Sequence, residues 1–255
     1  MTRGDFEILI ELYEHRVLTT PQIYELHFDT HTRASKRMLQ LYRLGLAERF
    51  RPHTPTGSAP WHYTLDEPGA RLVAARQEID FKDFTFKKAR IFDVAGSPRL
   101  RHRVECNGFF ARLTLTCRRR GWDIEWIGER RATASWDSRI TPDGIGRIQA
   151  GDRKISFFLE YDRGTESHEQ LAIKTYRYRL IGRTVRSEDA LLFVFPSAAR
   201  ERHARSALIG SSVPVATGVR AEVMRHPLEA VWLPLGDDRR RMILDLPRTP
   251  RDQPG

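Results

Sequence analysis

Three carboxylates in the middle of this chain have the types and spacing to hold a divalent cation. Asp143 closes the segment Thr141-Pro-Asp143, and Glu160 and Asp162 follow in Phe158-Leu-Glu-Tyr-Asp162, which runs on as Arg-Gly-Thr-Glu166-Ser167. Ile155 to Asp162 has the length and apolar content of a strand. Alternation by two sends Ile155, Phe157, Leu159 and Tyr161 to one face and Phe158, Glu160 and Asp162 to the other. Two acids therefore share a side, and Asp143 joins them if a strand over 139–143 pairs alongside. Hard oxygen ligands of this kind suit Mg2+ or Mn2+ rather than zinc. A cation held there can activate water and neutralise charge on a phosphodiester. The competing reading makes the same acids strand-end caps, or partners of the abundant arginines.

The elements that would position these residues can be read from periodicity and punctuation. A long helix over about 99–120 carries Val104, Phe109, Phe110, Leu113 and Leu115 and stops at Gly121, and a strand is expected over 122–127. Ser167-His-Glu-Gln170 is a capping box that opens a helix ending at Gly182, with Leu171 and Tyr178 on its buried face and Lys174 beside them. Ala190 to Phe195 reads as a strand buried on both faces, 197–208 as a helix, and 213–219 and 231–235 as short strands. The end of the chain, rich in Pro, Arg and Asp, is expected to be a disordered tail.

Upstream, a first unit runs to about Glu78. Phe6, Leu9, Ile10 and Tyr13 follow helical spacing, Thr20-Pro21 starts a short helix, and a third helix spans about 30–44. On that third helix Ala34, Met38 and Leu41 face inward, while Arg33, Lys36, Arg37 and Gln40 form an outer stripe without an acid. Strands over 46–51 and 61–65, joined by a turn over 52–60, make a hairpin, and 66–76 adds a closing helix. Three helices and a hairpin predict a winged helix-turn-helix, whose third helix would enter the major groove of duplex DNA. Between 79 and 98, Phe81, Phe84, Phe86 and Phe92 alternate with charged residues and read as a linker packed on its neighbours.

Composition narrows the class. The net charge of +10 and pI near 10.0 point to an anionic partner, nucleic acid before membrane, although only six of the 43 basic residues are lysine. The first unit alone balances ten basic against ten acidic residues, so its positive charge is concentrated on the third helix. No apolar run approaches a membrane span, and the reading is a cytoplasmic protein. Cys106 and Cys117, eleven residues apart on one helix, read as reduced and buried.

The order of elements resembles the restriction-endonuclease-like fold. More specifically, the chain resembles the replication-relaxation family, proteins implicated in plasmid replication and plasmid DNA relaxation. Leu44-Gly-Leu46, His102-Arg-Val-Glu-Cys-Asn107, Pro142-Asp143 and above all Phe158-Leu-Glu-Tyr-Asp-Arg-Gly-Thr-Glu166, with Lys174 and Tyr178 downstream, carry that likeness over nearly all of the chain. Joined to the reading of the elements, it gives an α+β protein: a winged helix-turn-helix over 1–78, a linker over 79–98, a nuclease-like α/β domain with a central mixed sheet over 99–236, and a tail over 237–255 that the likeness does not cover. It also implies duplex DNA as partner and leaves a homodimer open. Nucleases of this fold carry lysine two residues after the strand glutamate, where this chain has Asp162. Lys174, or Arg163, then has to supply the cation.

The resulting assignment gives Asp143, Glu160 and Asp162 to a Mg2+ or Mn2+ ion, Lys174 to transition-state charge, and Glu166 or Glu105 to support. DNA contacts fall to Arg33, Lys36, Arg37, Gln40 and Arg163. The alternative is a non-catalytic winged-helix regulator or replication accessory protein with a degenerate nuclease-like domain. A tyrosine relaxase through Tyr176 or Tyr178 would need a His-hydrophobic-His pair, which none of the nine histidines forms.

Overall fold

Threonines start the helices at the N-terminal end. Thr2 and Asp5 close a capping box on α1 (Arg3–His15), and Thr19 with Gln22 closes one on α2 (Thr20–His27), just after the two-residue strand β1 (Leu18–Thr19). The Thr30 hydroxyl accepts from the Arg33 N–H at the start of α3 (His31–Arg43). Strands β2 (Ala47–Phe50) and β3 (His62–Leu65) follow, then α4 (Glu67–Arg76), capped by Asp66. The strands form an antiparallel sheet of order β1-β3-β2. Ala34, Met38 and Leu41 are the buried residues of α3, as its pattern requires.

The computed structural model describes residues 1–54, 57–86, 91–135, 139–182, 190–209, 211 and 213–247. These divide into two compact units, Met1–Arg112 and Leu113–Gly255. The expected turn residues 55 and 56, the Phe92 side chain and the tail from 248 lie outside the described residues.

In the first unit the buried stripe of α1 is Asp5, Ile8, Leu9, Leu12 and His15 rather than Phe6, Leu9, Ile10 and Tyr13. Two polar residues lie on that stripe because each finds a partner there: Asp5 meets Arg37, and His15 lies between Glu11 and Asn107. Phe84 is buried and stacks on Tyr13 with centroids 4.3 Å apart, and a short α5 (Ile91–Ala95) leads to α6 (Leu100–Arg120). The start of α6 belongs to this unit, since the Asn107 amide donates to the carbonyls of His15 and Val17 and Leu100 joins Val17 and Phe50 in a small core. The division between units falls inside α6, between Arg112 and Leu113. Cys106 and Cys117 on that helix are free thiols, both buried, and burial pushes the Cys117 thiol up to about 12.

The second unit is built on a six-stranded mixed sheet. In chain order it comprises β4 (Asp123–Gly128), α7 (Glu129–Ser135), β5 (Gly144–Ala150), β6 (Arg153–Tyr161), α8 (His168–Gly182), β7 (Ala190–Phe195), α9 (Ala198–Leu208), β8 (Val215–Val219), α10 (Arg220–Arg225) and β9 (Leu233–Pro234). Strand order is β4-β5-β6-β7-β8-β9, antiparallel from β4 to β6, parallel from β6 to β8, and antiparallel again at β9. The class is therefore α+β with a central mixed sheet. All six residues of β7 are buried, as a central parallel strand demands.

One strand differs from expectation. The sequence places a strand over 139–143 ending at Asp143, whereas β5 begins immediately after Asp143. Gly144 and Gly146 read as poor strand formers, but the sheet needs them. A Cβ at Gly144 would lie 2.2 Å from the Trp126 ring, and one at Gly146 2.3 Å from the Phe157 ring. Residues 237–247, assigned to the tail, are likewise held: Arg241 bridges to Trp232, Arg240 pairs with Glu201, and Leu246 is buried. Among the described residues no helix is long and apolar enough to cross a membrane.

Candidate functional site

Strand β6 delivers Glu160 to the sheet face covered by α8, because Phe158, two residues earlier, points the same way and meets Tyr178 of α8 with ring centroids 4.9 Å apart. Glu160 is 3% exposed and its two oxygens have different partners. Oε2 accepts from Lys174 Nζ at 2.9 Å, and Oε1 accepts a short hydrogen bond from the Tyr178 hydroxyl. Lys174 also donates to Glu166 Oε1 at 2.7 Å. Four residues separate Lys174 from Tyr178, so one helix face presents both donors to the same carboxylate.

Asp143 is pinned beside Glu160 by the backbone of β6. Its N–H donates to the Leu159 carbonyl at 3.0 Å, and its Oδ2 accepts from the Tyr161 N–H at 2.7 Å. Its placement just before β5, instead of at the end of a preceding strand, still sets it next to Glu160, because β5 and β6 pair antiparallel from Gly144 opposite Leu159.

Asp162 is held differently. Past the end of β6 its N–H donates to the Val194 carbonyl at 2.9 Å, and its buried carboxylate accepts from Arg200 Nε at 2.7 Å and from the Gly164 N–H at 2.9 Å. Gly164 adopts φ 82°, which lets the chain turn back under the Asp162 carboxylate. Arg200 donates as well to the Glu166 carbonyl, so a single guanidinium fastens both ends of the loop between β6 and α8. Ser167 and Gln170 exchange the reciprocal bonds of the expected capping box at the start of α8.

The electrostatics follow from burial and from the excess of acids. Burial raises the Glu160 carboxyl and the Asp143 charge raises it further, against the Lys174 ammonium and the Tyr178 hydroxyl, so that it titrates at about 7. Burial alone would lower Lys174, but two carboxylates outweigh it and hold the ammonium above the usual lysine range. Burial and the Glu160 charge likewise push the Tyr178 phenol well above 10.0. The two partners of the Lys174–Glu160 pair differ because Lys174 faces two acids, whereas fully enclosed Glu160 shares its one cation and sees Asp143.

The structure thus brings Asp143, Glu160, Glu166 and Lys174 together. It ties Asp162 to Arg200 on the same loop and leaves Arg163 exposed there. Glu105 lies in the other unit, where it accepts from Arg101 at 3.0 Å. Of the residues expected to meet DNA, Arg33 and Lys36 are exposed on α3. Arg37 is not free on that stripe: its guanidinium pairs with buried Asp5 of α1 and donates to Gln40 at 2.7 Å. A stripe read at helical spacing gives the angle of Arg37 around its own helix but not the acid waiting on the next one.

A model of the replication-relaxation family matches residues 9–192, which is more than half of the chain. The chain belongs to the replication-relaxation family. The matched span contains Asp143, Glu160, Asp162, Glu166, Lys174 and Tyr178. None of the curated proteins matches this family member.

Two residues of the cluster escape sequence reasoning. Tyr178 reads simply as a core aromatic, and only the depth of Glu160 turns its hydroxyl into a required donor. Arg200 carries one usable signal: it stands three residues after the helix cap Ser197, and β7 runs parallel to β6. The first turn after β7 must therefore lie beside the end of β6, where Asp162 sits.

Proposed function

We propose that this replication-relaxation protein binds duplex DNA of a plasmid or other mobile element and nicks it at a metal-dependent site in its second unit. The reading rests on one observation above the others. Lys174 Nζ lies 2.9 Å from Glu160, with Asp143 pinned alongside, so the lysine absent from position 162 is supplied from α8. Together they make up the acid, acid and lysine set of a restriction-endonuclease-like nuclease.

The donors suit a hard divalent cation. Asp143 and Glu160 are oxygen ligands, and a cation between them would offset both the burial that chiefly raises Glu160 and the Asp143 charge that adds to it. Arg200 and Gly164 engage the two oxygens of Asp162, which lies past the end of β6, and Lys174 and Tyr178 engage the two of Glu160, so an ion held by Asp143 and Glu160 would use lone pairs those hydrogen bonds leave over. Held by Asp143 and Glu160, Mg2+ or Mn2+ would supply Lewis acidity toward a phosphodiester oxygen.

The chain's own groups do the rest. Tyr178 fixes the Glu160 carboxylate, Arg200 fixes the loop, and Lys174 remains protonated. Lys174 therefore acts as a charged donor toward the phosphoryl oxygens and not as a base. In the first unit, the order of α1 to β3 supports a winged helix whose α3 presents Arg33 and Lys36 to DNA.

Supercoiled plasmid incubated with protein and Mg2+ or Mn2+ tests the proposal. Wild type should convert it to open circles, and Asp143→Ala, Glu160→Ala and Lys174→Met should each abolish conversion. No conversion by wild type, or no loss in the variants, overturns the catalytic reading. The engagement of Asp162 by Arg200 favours a second reading, a DNA-binding accessory protein without turnover. That reading is retained if wild type binds the plasmid and leaves it supercoiled.

A further inference from the structure

Four side chains of the N-terminal unit form a stack outside the residues discussed so far. The Arg49 guanidinium lies over two rings, 4.4 Å from the centroid of Tyr42 at the end of α3 and 4.1 Å from that of Trp61, just before β3. Arg51 lies over Trp61 as well, at 4.3 Å, and donates to the Ser58 hydroxyl at 2.9 Å. Arg49 lies in β2 and Arg51 just past its end, while Trp61 directly precedes His62, which pairs with Phe50, so the three come together where the hairpin strands end. Tyr42 is 40% exposed. Among the described residues neither guanidinium has a carboxylate partner, although residues 1–78 hold as many acids as bases.

A guanidinium lying flat on an aromatic ring keeps its N–H groups in its own plane, pointing away from the ring at its edge. Contact with the rings thus helps to hold both cations in place, and apart from the Arg51 bond to Ser58 their N–H groups are left to an acceptor. The rotamer freedom that an arginine normally gives up on binding is partly lost already. Paired in-plane donors match a tetrahedral anion with two oxygens on one side.

We infer that the Tyr42–Arg49–Trp61–Arg51 stack is a preformed site for phosphate groups of the DNA backbone, so that the hairpin holds DNA irrespective of its sequence. The inference rests on the DNA-binding reading above and moves part of the grip from α3, where Arg37 is taken up by Asp5, to the hairpin. Phosphate is favoured over base edges because both cations sit on the hairpin beside the end of α3 and not on the helix expected to enter the groove, and positioning contacts of this kind go to the backbone.

Fluorescence anisotropy of the full chain with two labelled duplexes of unrelated sequence, across a KCl series, tests this. Arg49→Ala/Arg51→Ala should weaken both duplexes alike and reduce the slope of log K against log salt by about 1.8, or about 0.9 for each phosphate no longer neutralised. Arg49→Lys/Arg51→Lys keeps both charges and should recover the slope while binding about tenfold more weakly, because an ammonium does not stack in the same way. If wild type binds but the alanine pair leaves slope and affinity unchanged, the stack is not the site and the DNA-binding reading stands. Lysines that bind as tightly as arginines overturn preorganisation by stacking. Wild type that binds neither duplex overturns both the stack and the reading beneath it.

Discussion

Replacing Glu160 with glutamine should change how stability depends on pH, by an amount the structure sets. Glu160 is enclosed beneath α8, close to Asp143, and its carboxyl is raised from 4.5 to about 7. Between those values the folded protein keeps a proton that the unfolded chain has lost, so folding stability falls as pH rises through that window and then levels off. At about 1.36 kcal/mol per pH unit, the interval amounts to about 3 kcal/mol. The glutamine of Glu160→Gln would carry no charge and could still accept from Tyr178.

Urea unfolding at pH 5 and pH 8, followed by tryptophan fluorescence, gives the stability of each protein at each pH. Taking wild type minus Glu160→Gln cancels the histidines and other acids that titrate in both. Wild type should lose about 3 kcal/mol relative to the variant on going from pH 5 to pH 8. A difference that stays flat would mean that Lys174 fully compensates Glu160 and that the carboxylate is not electrostatically frustrated. Repeating the pH 8 measurement in Mg2+ adds a second readout. A cation on Asp143 and Glu160 stabilises wild type by about 2.7 kcal/mol at a hundredfold excess over its Kd and leaves the variant unmoved.

Other perturbations have equally definite outcomes. Arg200→Ala leaves the buried Asp162 carboxylate without its cation and should cost about 3–5 kcal/mol in urea unfolding, with Arg200→Lys intermediate. Gly144→Ala forces a methyl group against the Trp126 ring and should cost about 1–3 kcal/mol while leaving the N-terminal unit's thermal transition in place. Burial raises Asp5, but its bonds from Arg37 and Thr2 more than offset that and hold its carboxyl below the usual range. Its contribution is thus present above about pH 4 and lost as pH falls below. Asp5→Asn should flatten the acid limb of a plot of Tm against pH. Arg33→Ala/Lys36→Ala should reduce the salt slope of duplex binding by about 1.8, and an unchanged slope would remove α3 from the interface.

Local order was largely legible in the sequence. The capping box at Ser167, the inner face of α3, the wholly apolar β7 and the alternation along β6 are short-range signals, and each produced the element it implies. β5 was not legible, because its glycines argue against a strand until Trp126 and Phe157 are seen lying over them. The stripe of α1 was misread for a related reason: Asp5 and His15 look like surface residues until Arg37 and Asn107 arrive from elsewhere in the chain.

The same division runs through the candidate site. Sequence alone determined that Glu160 lies on a strand, that a capped helix follows it, and that Lys174 and Tyr178 lie on one side of that helix, because period and punctuation are properties of neighbouring residues; Asp162, expected on the same strand face as Glu160, falls past the end of β6. Only the tertiary structure decided which charges meet. The parallel pairing of β6 with β7 takes Asp162 to Arg200, the packing of α8 on the sheet takes Lys174 and Tyr178 to Glu160, and the register of β5 takes Asp143 to the Tyr161 N–H. Ion pairing and burial depend on distance in space, which strand order sets and residue spacing along the chain does not.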